Sequence, residues 1–304
     1  MTPHLIAMLA LWWALAGCAA AAQFTFGALG DTPYYADEEA RFVPLMAELN
    51  SNALAFVIHI GDFKSGWSDC SDELYRERRE WFALSHHAFI YIPGDNDWAD
   101  CWRGPAGGYQ PVERLSRLRD LFFSQPQSLG QRPIELEQQP RSAAPRPYPE
   151  HARWIHQGIL FFTINVPGGD NNMSRDRAEF AARDAALRDW IRSSFGIARS
   201  RQLTGLVVAM HANPWAAGGP RHRGFAQLLE TLIVETREFP GEVLLIHGDT
   251  HRFRVDRPLI DPDTQLRIPN FTRIEVFGSP SINWVRVRVD ATGGRVKFSA
   301  EPGS

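Results

Sequence analysis

The chain has 304 residues, is 44% hydrophobic and 22% charged, and carries a formal net charge of −3. That composition describes a globular chain with material for a sizeable core, and excludes a disordered or fibrous one. The near-neutral balance lacks the positive field of a dedicated nucleic-acid binder, and with Lys64 and Lys297 as the two lysines among 32 basic residues, the arginine excess reads as genomic bias.

Leu5 to Cys18 is a short apolar run followed by Ala19–Ala22. It is too short to span a bilayer comfortably and has the length of a secretory core ending in small residues. Residues 1–22 are therefore read as a signal peptide and residues 23–304 as one exported domain, periplasmic or secreted, with no transmembrane segment in the mature chain. Leu15-Ala16-Gly17-Cys18 also resembles a lipobox, which would place a lipid on Cys18. A strand beginning at Phe24 leaves almost no tether for such an anchor, so cleavage is the preferred reading.

Downstream, short apolar runs alternate with amphipathic ones. Strands are expected at Phe24–Leu29, Ala53–Ile60, Ala88–Pro93, Leu206–Met210 and Val243–Ile246, each continuously apolar, as in a sheet covered on both faces. Helices are expected at Glu38–Leu49, with Pro44 implying a kink or late start, at Asp72–Leu84 after a Ser71 cap, at Arg175–Ile191 after Ser174, and at Phe225–Thr236. Gln125–Pro149 is rich in Pro, Gln and Arg without a period and reads as a long surface loop. Strands return at Arg252–Val255, Thr272–Val276, Trp284–Val289 and Arg295–Phe298. Together these spell an α/β fold.

The five inner strands each end in Asp, Asn or His: Asp31; Asp62; Asp95-Asn96-Asp97; His211; and Asp249 with His251. Strand C-termini are where open α/β sheets build ligand sites. Carboxylates converging there would repel one another unless a cation neutralised them, and the mixture of oxygen and imidazole donors suits one or two divalent ions, Mn, Fe, Mg or Zn. Taken singly, each Gly-Asp is an ordinary turn. Cys70 and Cys101, the two cysteines left after the leader, are expected to form a disulfide in an oxidising compartment. Trp67, Trp98, Trp102 and Trp215 follow the blocks closely, either as a stacking rim or as packing around that bridge.

The ordered set Gly30-Asp31, Gly61-Asp62, Gly94-Asp95-Asn96-Asp97, His211 in VVAMHANP, and Gly248-Asp249-Thr250-His251 resembles the signature blocks of the calcineurin-like metallophosphoesterases. Those blocks read D-x-H, G-D, G-N-H-D/E, a lone H and G-H-x-H. The resemblance runs from about Phe24 to Asp290 and implies a four-layer α/β/β/α sandwich with two mixed central sheets. It also implies hydrolysis of a phosphomonoester or phosphodiester at a two-metal centre. Transferred by position, Asp31 and His251 would bind the first metal, Asp62 would bridge, and Asp95, His211 and Asp249 would bind the second. Asn96 and Asp97 become the catalytic candidates.

The chain departs from the pattern at Pro33, Asn96 and Asp249, where the family has His, and at Asp95, where it has Asn. The loss of His at 96 removes a general acid. Tyr34, Arg221 and His222 are candidates for substrate contact or an additional ligand. Two functions follow: an exported metal-dependent phosphoesterase acting on a small or lipid-like phosphoester, or an impaired relative that binds a phosphorylated or anionic partner. The replacements at 95 and 249 are themselves good ligands, which favours the enzyme.

Overall fold

The structure, a computed structural model, describes residues 23–140, 148–216 and 223–303. The expected leader, the Cys18 lipid site, Arg221, His222 and residues 141–147 of the expected loop lie outside the described residues. Among those described, no helix is long and apolar enough to cross a membrane.

Two mixed sheets stack face to face. The first contains β1 (Gln23–Leu29), β2 (Phe56–His59) and β3 (Ala88–Tyr91), parallel to one another, with β11 (Val285–Asp290) and β12 (Lys297–Pro302) added antiparallel beyond β1. The second runs β4 (Glu137–Gln138), β5 (Ala152–His156), β6 (Ile159–Thr163), β7 (Gly205–Ala209), β8 (Glu242–His247), β10 (Phe271–Glu275) and β9 (Arg254–Asp256), with β6, β7, β8 and β10 parallel. Helices α1 (Ala36–Ser51), α2 (Asp72–Ala83) and α3 (Pro111–Phe122) cover the outside of the first sheet. Helices α4 (Arg177–Ser200) and α5 (Ala226–Glu238) cover the second. This is the expected α/β/β/α sandwich.

Strand alternation explains why the inner strands read as unbroken apolar runs. In β2, Phe56 and Ile58 face the inter-sheet core while Val57 faces the helices; in β7, Val207 and Ala209 face inward while Leu206 and Val208 meet α4 and α5. Each such fully buried side chain is worth about 1.5–3 kcal/mol relative to exposure. The buried faces thus fix the register, and the register fixes where each strand ends.

Several boundaries differ from the sequence reading, for local reasons. α1 begins at Ala36 and continues through Pro44. Pro44 and Ala40 both lie on the exposed face, where the carbonyl that proline cannot pair is open to solvent. α4 is capped by Asp176, whose carboxylate accepts from the Ala178 and Glu179 amides, while Ser174 instead donates to Asp170. Part of the expected surface loop is tied to the fold by β4 and by a bridge between Phe89 and Leu129. α3, β5 and β6 are additional elements.

Candidate metal centre

The C-terminal ends of β1, β2 and β3 meet those of β7 and β8, and the five predicted blocks converge there. Ligand atoms of Asp31, Asp62 and His211 lie within 4.8 Å of one another, as do those of Asp95, His211 and Asp249. His211 stands at the centre. Its Nε2 lies 3.4 Å from Asp95 Oδ1, 3.5 Å from Asp62 Oδ1 and 4.0 Å from Asp249 Oδ1. His251 approaches from the side, with Nε2 3.7 Å from Asp31 Oδ1.

The backbone presents these side chains at a conformational cost. Asp31, Asp62, Asp249 and His251 have φ of 52°, 56°, 74° and 58°, in the left-handed region that L-residues seldom occupy. Such residues cost about 1–3 kcal/mol each and persist where the surroundings over-determine them. Here the surroundings are close-fitting glycines. A Cβ at Gly248 would lie 2.0 Å from Asp31 Oδ2, and one at Gly94 2.0 Å from Asp62 Oδ1. Gly168, in the loop after β6, backs the other group: its Cβ would lie 2.6 Å from both Asp249 Oδ1 and Asp95 Oδ2.

Both imidazoles are oriented alike. His211 Nδ1 lies 3.0 Å from the Ile60 carbonyl and His251 Nδ1 2.8 Å from the Ser279 carbonyl, so each ring turns Nε2 toward the carboxylates. A backbone carbonyl on the far nitrogen is the arrangement that fixes a metal-binding tautomer. His211 Nε2 is buried without a hydrogen-bond partner, a costly position for a polar atom unless something binds it.

Electrostatics point the same way. Burial raises the Asp31 and Asp62 carboxyls well above the usual carboxylate range, with His211 opposing and neighbouring carboxylates adding to the rise. Burial also pushes Asp249 up to about 6. Burial alone would lower His211, but Asp62, Asp95 and Asp31 together hold it well above its ordinary value. Without a cation the cluster balances its charge with protons, so the donor set fits one or two divalent ions.

Tyr34 lies inside the cluster. Its hydroxyl donates to Asp62 Oδ2 at 2.9 Å, lies 3.3 Å from His251 Nε2 and accepts from Asn96 Nδ2 at 3.2 Å. Asn96 also donates its amide to Asp62 Oδ2 and its backbone N–H to Asp62 Oδ1 at 3.0 Å. Asp97, expected to be catalytic, does not line the cavity over the cluster. It is fully buried, and its carboxylate accepts from the backbone N–H groups of Asp62, Phe63 and Gly94 and from the Tyr91 hydroxyl, at 2.8–3.0 Å. With those four donors in place it anchors two loops.

Several contributors lack the Gly-Asp signal. Glu38, buried in the first turn of α1, accepts from the Tyr34 amide at 2.7 Å and the Ser279 hydroxyl at 2.6 Å. Asn213 donates its backbone N–H to Asp249 Oδ2 at 3.0 Å and its side chain to Thr250 at 2.8 Å, while Glu275 holds the Thr250 hydroxyl from below. Asn213 follows His211 in the fourth block; Glu38 and Glu275 have no positional cue.

Cys70 and Cys101 form a buried disulfide, with Cα atoms 5.8 Å apart, that joins the loops after β2 and β3. Trp98 is wholly buried beside it, Trp215 is half-buried against Phe271, and Trp67 and Trp102 are exposed. A cavity of about 290 Å³ opens over the cluster, walled by Tyr34, Tyr35, Trp67, Asn96 and Arg103. A larger apolar cavity of about 380 Å³ opens near the other ends of β7 and β8 and has no carboxylate–histidine cluster among the described residues, so the smaller one is the candidate site.

The chain is similar to the structure of a purple acid phosphatase from yellow lupin (Lupinus luteus) seeds, with a TM-score of 0.55 at 11% identity over 94% of this chain and 52% of that one. It is also similar to PhoD, with a TM-score of 0.58 at 12% identity over 93% of this chain and 72% of that one. The chain thus spans about half the length, 52%, of the lupin phosphatase. At such identities the likeness establishes the fold alone, the α/β/β/α sandwich shared with these structures. No family model matches the sequence, and no curated protein sequence matches it.

Proposed function

We propose that this chain is a metal-dependent phosphoesterase, exported, acting on a small phosphoester. The observation that carries the reading is the pair of carboxylate–imidazole groups meeting at His211, whose buried Nε2 has no hydrogen-bond partner. One imidazole nitrogen has a single lone pair, so His211 serves one cation. Assigning it with Asp95 and Asp249 leaves Asp31, Asp62 and His251 for the other, with the Tyr34 hydroxyl beside them. Divalent cations there would supply Lewis acidity to the phosphoryl oxygens and an activated water.

The chain's own residues do the rest. Asp31 and Asp62 hold negative charge beneath the site, and the fixed left-handed turns keep both oriented. Asn96, within reach of Tyr34 and Asp62, can swing its amide toward a non-bridging oxygen as a neutral donor. It cannot yield a proton, so the leaving group takes its proton from solvent, a loss worth roughly 10²–10⁴-fold in rate. Carboxylates outnumber imidazoles and no thiolate is present in the cluster, which favours Mg, Mn or Fe. Export is supported by the apolar run at 5–18 and by a disulfide suited to an oxidising compartment.

The test is hydrolysis of p-nitrophenyl phosphate and bis(p-nitrophenyl) phosphate by protein reloaded with each metal in turn. Turnover that disappears in Asp62→Asn is the expected result. Metal binding without turnover of either ester would instead support the binding-protein reading.

A further inference from the structure

The walls of the cavity differ sharply from its floor. Beneath lies the acidic cluster; at the mouth stand Trp67 and Tyr35, 65% and 56% exposed, on loops from different strands. Neither ring fills the core, and a tryptophan held in water has surrendered a large hydrophobic gain. Trp67 is nonetheless placed: its backbone N–H donates to Ser65 Oγ at 3.2 Å, and the Arg103 guanidinium lies 5.9 Å from its ring centroid.

Arg103 is the second part. Its Nη2 pairs with Asp100 at 2.6 Å, and its Nη1 packs on the Gly66 backbone so closely that a Cβ there would lie 2.5 Å from it. The same Cβ would lie 2.7 Å from Asn96 Oδ1, so Gly66 lets the guanidinium and the Asn96 amide converge at the cluster's edge. Arg103 also lines a second lobe of about 140 Å³ beyond Asp95. It is the one arginine or lysine lining the first cavity among the described residues.

From these placements we infer that the site selects phosphoesters carrying a planar aromatic substituent, which stacks on Trp67 beside Tyr35 while Arg103 holds the phosphoryl oxygens. The inference rests on the phosphoesterase reading and narrows its substrate class. An exposed tryptophan could also dip into a membrane, but Arg103, the one cation lining this cavity among the described residues, is already paired with Asp100, which leaves little positive charge beside Trp67 to draw an anionic surface and disfavours that role.

The experiment separates the two parts with non-hydrolysable probes. Phenylphosphonate, cyclohexylphosphonate and methylphosphonate are titrated calorimetrically into the manganese-loaded full-length mature protein. Phenylphosphonate is expected to bind about tenfold more tightly than methylphosphonate, the size of one base–aromatic stack, with the cyclohexyl compound between them. Trp67→Ala should erase the phenyl advantage and Trp67→Phe should keep most of it. Arg103→Gln should weaken all three probes by a common factor. Equal affinity for phenyl and methyl probes, a phenyl advantage that survives Trp67→Ala, or a cyclohexyl probe as tight as phenyl overturns the inference and leaves the phosphoesterase reading standing. Loss of binding to phosphatidylglycerol vesicles in Trp67→Ala, without any phenyl selectivity, overturns it in favour of a membrane contact. Binding of no phosphonate by metal-loaded protein overturns the phosphoesterase reading itself.

Discussion

Replacing Asp97 by Asn distinguishes an anchor from a catalyst. Oδ2 of Asp97 accepts from Asp62 N–H, Gly94 N–H and Tyr91 O–H, while Oδ1 accepts from Phe63 N–H. The best placement of an Asn amide keeps its oxygen where Oδ2 was, and then its NH₂ confronts the Phe63 N–H. One buried donor is left unpaired, costing about 1–3 kcal/mol, and the three retained bonds lose the strengthening that a charged acceptor gives. The expected total is about 3 kcal/mol. For a chain of this size that lowers Tm by about 6–12 °C, on roughly 2–4 °C per kcal/mol. The assay is thermal unfolding of metal-free and metal-loaded protein in parallel, with hydrolysis measured well below Tm. Because the Asp62 turn hangs from Asp97, metal affinity should fall along with stability. An unchanged Tm with abolished turnover would refute the anchoring argument and return Asp97 to the chemistry.

Other consequences are independent of that one. Glu150 is fully buried; burial would raise its carboxyl, but Arg119, paired at 2.6 Å, holds it down at about 2. A carboxyl depressed from its ordinary 4.5 to about 2 contributes stability above pH 4.5 that is lost as pH falls toward 2, so acid unfolding of the wild type should steepen in that window by up to about 3 kcal/mol and the step should vanish in Glu150→Gln. The Cys70→Ser/Cys101→Ser pair, which opens a loop of sequence separation 31, should lose about 3–4 kcal/mol in denaturant unfolding, and wild type in reductant should match it. Gly168→Ala places a methyl against Asp249 and Asp95 but not Asp31, so bound metal measured by elemental analysis should fall by one equivalent while the protein stays folded.

The strand ends were legible because buried parallel strands are written as unbroken apolar runs, and the residues just past them stand out as Gly-Asp or His. β6 carries no such mark although Ile159–Thr163 is equally apolar, because no acid or histidine follows it directly; its contribution is Gly168, a glycine whose role is to yield space. α3 carries Leu115, Leu118 and Phe122 on its buried face behind an N-terminal proline, a helix signal hidden by the polar residues around it. The shift of the α4 cap from Ser174 to Asp176 is a competition between two good capping residues, and tertiary contact with Asp170 decides it. Asp97 is hard to read from sequence for a different reason. Position within a motif does not say which way a carboxylate faces, and only the folded loop shows that backbone amides surround it. Glu38 and Glu275 were beyond sequence reasoning, since each acts through a contact made by distant segments.

The central claim is that these donors form a centre for two divalent ions. Its most direct test is elemental analysis and calorimetry on the mature protein after chelation, dialysis and reloading with manganese, iron, magnesium or zinc. The account predicts two equivalents of manganese or iron, falling in Asp62→Asn and in His211→Ala. Retention of one equivalent or none by the folded wild-type protein, with any of the four metals, would contradict it.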